Sequence, residues 1–162
     1  MTARRLVKYS IISLALVPLH TSAKGGMGEV FGALLGKAIG NTVGKAMADP
    51  EKIEGALRKM TEKLNAKMPM TVDKDTRLDN LQAGPGARFT YNYTIVSAQA
   101  RDIDRKDIMN YLQTSLKSGI CSNPDMQVFF KNKVTVGYAY RAADGIYIAK
   151  LDISPKDCGY AA

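Results

Sequence analysis

The chain predicts an α+β fold: an antiparallel meander sheet with packing helices and one disulfide, preceded by a glycine-ladder helix. Three observations carry that expectation. Apolar side chains recur at helical spacing between Pro50 and Ala66. In Phe89 to Ile95 and again in Val134 to Tyr140 the period falls to two, as in a half-buried strand. Two cysteines, Cys121 and Cys158, stand before and after the second of these alternating stretches, where a bridge would close the domain.

Residues 1–23 read as a cleavable signal peptide. Arg4, Arg5 and Lys8 make a basic start, Ile11 to Leu19 a short apolar core, and Thr21-Ser22-Ala23 a small-residue cleavage site. The apolar run falls short of the roughly 20 residues a membrane-spanning helix needs. No cysteine lies near the cleavage point, which argues against a lipid anchor. Export across a bacterial inner membrane, to a periplasmic or secreted location, is the expectation.

Residues 24–48 carry Gly28, Gly32, Gly36, Gly40 and Gly44 at a strict four-residue spacing. A helical glycine costs about 1 kcal/mol relative to alanine, so helix propensity does not explain the ladder. Such spacing provides a groove without side chains, along which another helix or a lipid surface can approach. Val30, Phe31, Leu34, Leu35, Ile39 and Val43 are interleaved, yet Glu29, Lys37, Asn41 and Lys45 leave no clean apolar face. A lone span would hold Lys37 mid-bilayer at about 2.5–3.5 kcal/mol. Membrane contact, self-association and a self-packed N-terminal helix all remain open from the sequence.

Residues 49–162 hold the α+β domain. Asp49 caps a helix whose first position is Pro50, and Glu51 and Glu54 complement its dipole. Ile53, Leu57, Met60 and Leu64 form its apolar stripe, and Pro69 follows its end. A strand around Thr76 to Gln82, the turn Ala83-Gly84-Pro85-Gly86 and the strand Phe89 to Ile95 make one hairpin. Asp104 to Ser118 reads as a helix stopped by Gly119, and Asn123-Pro124 opens a shorter one with Val128 and Phe129. Val134, Val136, Tyr138 and Tyr140 alternate in a strand, Ala143-Asp144-Gly145 turns the chain, and Ile146 to Ile153 returns.

Composition excludes much chemistry. The only histidine, His20, falls in the signal, so the mature chain lacks histidine-based triads, histidine acid–base work and nearly all zinc chemistry. No catalytic motif, metal site or cofactor motif is present, which points away from an enzyme. Two acidic clusters, Asp73/Asp75/Asp79 and Asp102/Asp104/Asp107, fit a turn and a helix cap better than a calcium loop. Arg77 occupies a ligand position in the first, and Asp104 with Asp107 suits a helix start in the second. In an oxidising compartment a Cys121–Cys158 disulfide is the default, worth roughly 3–4 kcal/mol in the chain-entropy model. Lysine and arginine number 23 against 15 acidic residues. A positive chain suits anionic lipid or an acidic partner, and nothing in it resembles a nucleic-acid-binding motif. Five tyrosines, Tyr91, Tyr93, Tyr138, Tyr140 and Tyr147, fall in the strands. Core packing is their ordinary role, and a tyrosine-lined binding surface would give the same pattern.

The segments LNAKMPMTVDKDTRLDN, FTYNY, GICSNPDM, VTVGYAYRAADG and ISPKDC, between residues 64 and 158, resemble a pattern of small exported proteobacterial proteins of unknown function. Lys133 stands where that pattern has a glycine. The resemblance implies an envelope location and a disulfide, and it brings no catalytic residues. The resulting expectation is a non-enzymatic, periplasmic or envelope-associated protein. Its α+β domain would bind a partner, an envelope protein or a membrane surface, and its glycine helix would contact membrane or a second copy. Two alternatives are a secreted membrane-active, toxin-like protein inserting residues 25–48, and an immunity or inhibitor protein that plugs an exported hydrolase with a loop such as Ala83 to Ala87.

Overall fold

A computed structural model describes residues 50–161. The signal peptide, Asp49 and the glycine ladder with Gly28, Gly32, Gly36, Gly40 and Gly44 lie outside the described residues. Helix α1 (Pro50–Asn65) buries Ile53, Leu57, Met60 and Leu64, the stripe read from the sequence. It leads to a two-residue strand β1 (Met70–Thr71), then β2 (Thr76–Gly84) and β3 (Arg88–Ile95). The turn after Gly84 places Gly86 and Ala87 at φ of 73° and 52°. The Glu54 carboxylate of α1 fixes it by accepting from both backbone N–H groups, at 2.6 and 3.3 Å.

After a 3₁₀ turn (Ala100–Asp102) comes α2 (Arg105–Tyr111). Its cap is Asp104, whose carboxylate accepts from the N–H of Lys106 and of Asp107. The helix does not stop at Gly119 as the sequence suggests. It passes through a π-helical stretch (Leu112–Leu116) into α3 (Lys117–Ser122). The break comes at Asn123, held extended at ψ 118° because it precedes Pro124. Asn123 then caps α4 (Pro124–Lys131) through its side chain. Strands β4 (Thr135–Ala142) and β5 (Tyr147–Ile153) and a 3₁₀ turn (Pro155–Cys158) complete the described chain.

The five strands lie in sequence order, β1-β2-β3-β4-β5. All neighbours are antiparallel except β3 and β4, which run parallel with Phe89 opposite Val136 and Tyr91 opposite Tyr138. The helical connection returns the chain to the end of the sheet where β3 began, as a parallel pair requires. The α+β class with its packing helices and disulfide therefore stands, and the meander is interrupted by one crossover.

Register sorts the side chains into rows. On the helix-covered face, Ala83, Phe89, Val136 and Ile153 form one row, and Leu81, Tyr91, Tyr138 and Leu151 the next. Leu78, Tyr93, Tyr140 and Ala149 follow, then Thr76, Ile95 and Ala142. Most of these are buried, and Phe129 of α4 stacks on Phe89 with ring centres 5.2 Å apart. The opposite face carries Arg88, Thr90, Asn92, Lys150 and Asp152, exposed or half-buried. Gly137 sits in the middle of that face under the side chains of its neighbours: a Cβ there would lie 2.7 Å from Asp152 Oδ1 and 2.8 Å from Thr90 Oγ1, so a larger residue would push those side chains aside.

Candidate functional site

The strand tyrosines divide by position. Tyr91, Tyr138 and Tyr140 are buried, Tyr93 is half-buried and Tyr147 is 48% exposed. Alternation puts Tyr91, Tyr93, Tyr138 and Tyr140 on the helix-covered face, and the parallel register sets them in facing pairs. Tyr91 stacks on Tyr138 at 5.3 Å and Tyr93 on Tyr140 at 5.2 Å. Burial raises all four phenol pKa values well above that of a free tyrosine. The core reading thus holds for four of the five, and only Tyr147 is presented to solvent.

At the Tyr93–Tyr140 end the core becomes polar. Thr76, in the outermost row, is buried with its hydroxyl unpaired among the described residues. In the turn from β1 to β2, Asp73 accepts the N–H of Asp75 on one oxygen, while its second oxygen is buried without a partner. The Tyr111 hydroxyl, from α2, is likewise buried and unpaired. Asp73 and Tyr111 both lie close enough to Tyr140 to contribute to its raised pKa, behind burial and Tyr93.

The same end of the sheet carries the exposed apolar side chains. Val72, Val96, Ile146 and Tyr147 are the exposed large hydrophobic residues among the described ones. They stand before β2, after β3 and at the start of β5, the positions that meet where Thr76, Ile95 and Ala142 close the sheet. Their backbones are held: Val96 N–H donates to Asp75 O at 2.8 Å, and Asp144 accepts from Ala100 N–H and Ile146 N–H. This end combines a firm scaffold with an exposed apolar rim, which suits contact with a protein surface. Periodicity located the tyrosines. The rim and the unpaired oxygens have no sequence signal, since they depend on which strand ends meet.

The other residues singled out by sequence serve structure. Cys121 and Cys158 are joined, their Cα atoms 5.0 Å apart, tying the end of α3 to the last 3₁₀ turn. Beside the bridge, Lys117 donates to Asp157 at 2.6 Å, and Asp157 forms a reciprocal cap with Ser154. The Lys117 and Ser154 hydrogen bonds hold the Asp157 carboxyl down at about 2. Asp75 pairs with Lys74, while Asp79 binds Arg77 and the Thr94 hydroxyl. Asp102 lies in the short 3₁₀ turn, while Asp104 caps α2 and Asp107 lies in the first turn of that helix, so the two acidic clusters are turns, caps and ion pairs. No group of three potential metal ligands occurs among the described residues, and no described helix is long and apolar enough to cross a membrane.

Residues 52–146 match a family model described as a domain of unknown function, DUF8479. No curated protein matches the sequence. Solved structures show the same fold at low identity. A Pseudomonas aeruginosa protein described as a candidate secreted protein aligns at a TM-score of 0.57 and 12% identity, over 68% of this chain and 96% of its own. The type II secretion system pilotin AspS of Vibrio cholerae aligns at 0.51 and 15% identity, over 67% and 94%. The type 2 secretion system pilotin EpsS of Vibrio vulnificus gives 0.52 and 10%, over the same shares.

Proposed function

The chain belongs to the DUF8479 family, and on that footing we propose that it is a non-enzymatic, envelope-associated protein that binds a partner protein through its α+β domain. The observation that carries this reading is the fold shared with two secretion-system pilotins and a candidate secreted protein. The contact region is the sheet end rimmed by Val72, Val96, Ile146 and Tyr147, which carries the exposed large apolar side chains among the described residues. Charged residues are depleted in the cores of protein interfaces, so a single charge in this rim disfavours docking. The signal peptide delivers the chain to the periplasm or beyond, and the glycine ladder provides a second contact, to membrane or to another copy.

The test is affinity purification of the exported protein from the envelope fraction of its native host. The readout is the stoichiometric partner retained by the wild type and by Val72→Asp with Val96→Asp. Loss of that partner in the double variant, with an unchanged thermal melt, supports the reading. A partner retained equally by both proteins would move the contact elsewhere, and recovery of the protein from the cytoplasm alone would defeat the envelope assignment.

A further inference from the structure

The two edges of the sheet are treated differently. Beyond β1, which pairs only with Arg77 and Leu78, the β2 edge is disrupted by a register shift between Leu78 and Asn80. It is then closed by Asn65, whose side-chain amide donates to Leu81 O at 2.8 Å and accepts from Leu81 N–H at 2.7 Å. A side chain thereby takes the place of a neighbouring strand. Proteins commonly blunt an edge in such ways to prevent strand addition.

At the other edge, the β5 pairing is shifted only at its start, opposite Tyr140 and Arg141, and among the described residues no side chain clamps its backbone as Asn65 clamps β2. From Ala149 to Ile153 its pairing with β4 is regular, and the strand contains no proline. Among the described residues nothing bonds its outward backbone groups. Ile146 and Tyr147, at its start, are 50% and 48% exposed.

We propose that β5 is a self-pairing edge, which joins two copies of this chain antiparallel about a two-fold axis at Leu151. The side-chain order selects this occupant and this register. Residues directly opposite across an antiparallel pair share a face, and a two-fold axis makes the contact isologous. With Leu151 opposite its own copy on the helix-covered face, Lys150 lies opposite Asp152 of the second copy, and Asp152 opposite its Lys150. Ala149 then meets Ile153. Centring on Lys150 or on Asp152 instead would set like charges against each other. Lys150 and Asp152 already attract within one chain, at 2.9 Å, and both side chains are more than a third exposed. Pairing two copies would complete a square of alternating charge on the open face and continue the sheet, with both helix layers on one side.

Sedimentation velocity of the exported protein between about 10 and 500 μM tests this, with Lys150→Asp, Asp152→Lys and the exchange of both. The wild type should show a concentration-dependent dimer. Each single change replaces two opposite-charge pairs by two like-charge pairs, and should weaken the dimer about ten- to thirtyfold. The exchange restores opposite charges and should return the dissociation constant to within about threefold, which a general loss of surface charge would not do. Hydrogen exchange of the wild type gives an independent readout, with amides in β5 gaining protection as concentration rises. A wild type monomeric throughout the range would overturn the proposal. So would unchanged dimerisation in the single variants, an exchange variant that stays weak, or β5 protection independent of concentration. If a single variant fails to fold, the exchange variant and the wild-type hydrogen exchange still decide.

Discussion

Asn65→Ala removes the clamp that closes the β2 edge. The Asn65 amide makes two hydrogen bonds to the backbone of Leu81, sixteen residues away, at 2.7 and 2.8 Å. A typical hydrogen bond contributes about 0.5–1.5 kcal/mol net, so the pair accounts for about 1–3 kcal/mol. Alanine is the better helix former at the end of α1 by up to about 0.7 kcal/mol, which offsets part of this. The expected net loss is about 0.5–2.5 kcal/mol, or roughly 4 °C in melting temperature per kcal/mol for a domain of this size. Asn65→Asp is the sharper probe. It keeps an acceptor for Leu81 N–H, but it sets a carboxylate against Leu81 O and against the negative end of the helix dipole. It should therefore cost more than alanine at neutral pH, and the excess should shrink as the new carboxyl is protonated. Urea unfolding at pH 7 and pH 4, with hydrogen exchange at Leu81, measures both effects. If Asn65→Ala leaves stability and Leu81 exchange unchanged, or Asp proves milder than Ala at pH 7, the edge-clamp reasoning fails.

Three further outcomes follow from the same structure. Replacing both Cys121 and Cys158 by serine should cost about 3–4 kcal/mol and lower the urea midpoint, because the bridge closes a long loop. A raised phenol pKa stabilises the fold fully below the unfolded value of about 10, and this contribution falls as pH rises above it. Absorbance at 295 nm near pH 11 should therefore show Tyr91, Tyr93, Tyr138 and Tyr140 still protonated in the native protein and ionised in urea. On the acid side, Asp157 has its folded pKa lowered to about 2, so its contribution is present above the unfolded value near 4 and lost as pH falls toward 2. Asp157→Ala should melt below the wild type at pH 6, and the gap should close by pH 2.

Local pattern determined what was legible. The stripe Ile53/Leu57/Met60/Leu64, the two alternating strands, the Asp104 cap and the Asn123-Pro124 start are each written within a few residues, and each appears in the structure. Period alone does not choose a strand's neighbour. The parallel pairing of Phe89–Ile95 with Val136–Ala142 depends on where three helical segments return the chain. Gly119 was misleading because a single glycine weakens a helix without ending it, while the residue before Pro124 is forced out of helical geometry. The Asn65 and Glu54 clamps join residues 16 to 33 positions apart, and the close fit at Gly137 involves three strands. None of these leaves a mark in local sequence. The apolar rim is illegible for a related reason: Val72, Val96 and Ile146 look like ordinary core residues until the strand ends are assembled.

Site-specific photocrosslinking in living cells tests the partner-binding account most directly. A photoreactive phenylalanine replaces Val72 or Val96 at the rim, or Pro85 at the exposed tip of the opposite end as a control. The account predicts a discrete adduct with one envelope protein from Val72 and Val96 and none from Pro85. No adduct from the rim positions, or the same adduct from Pro85, would contradict it.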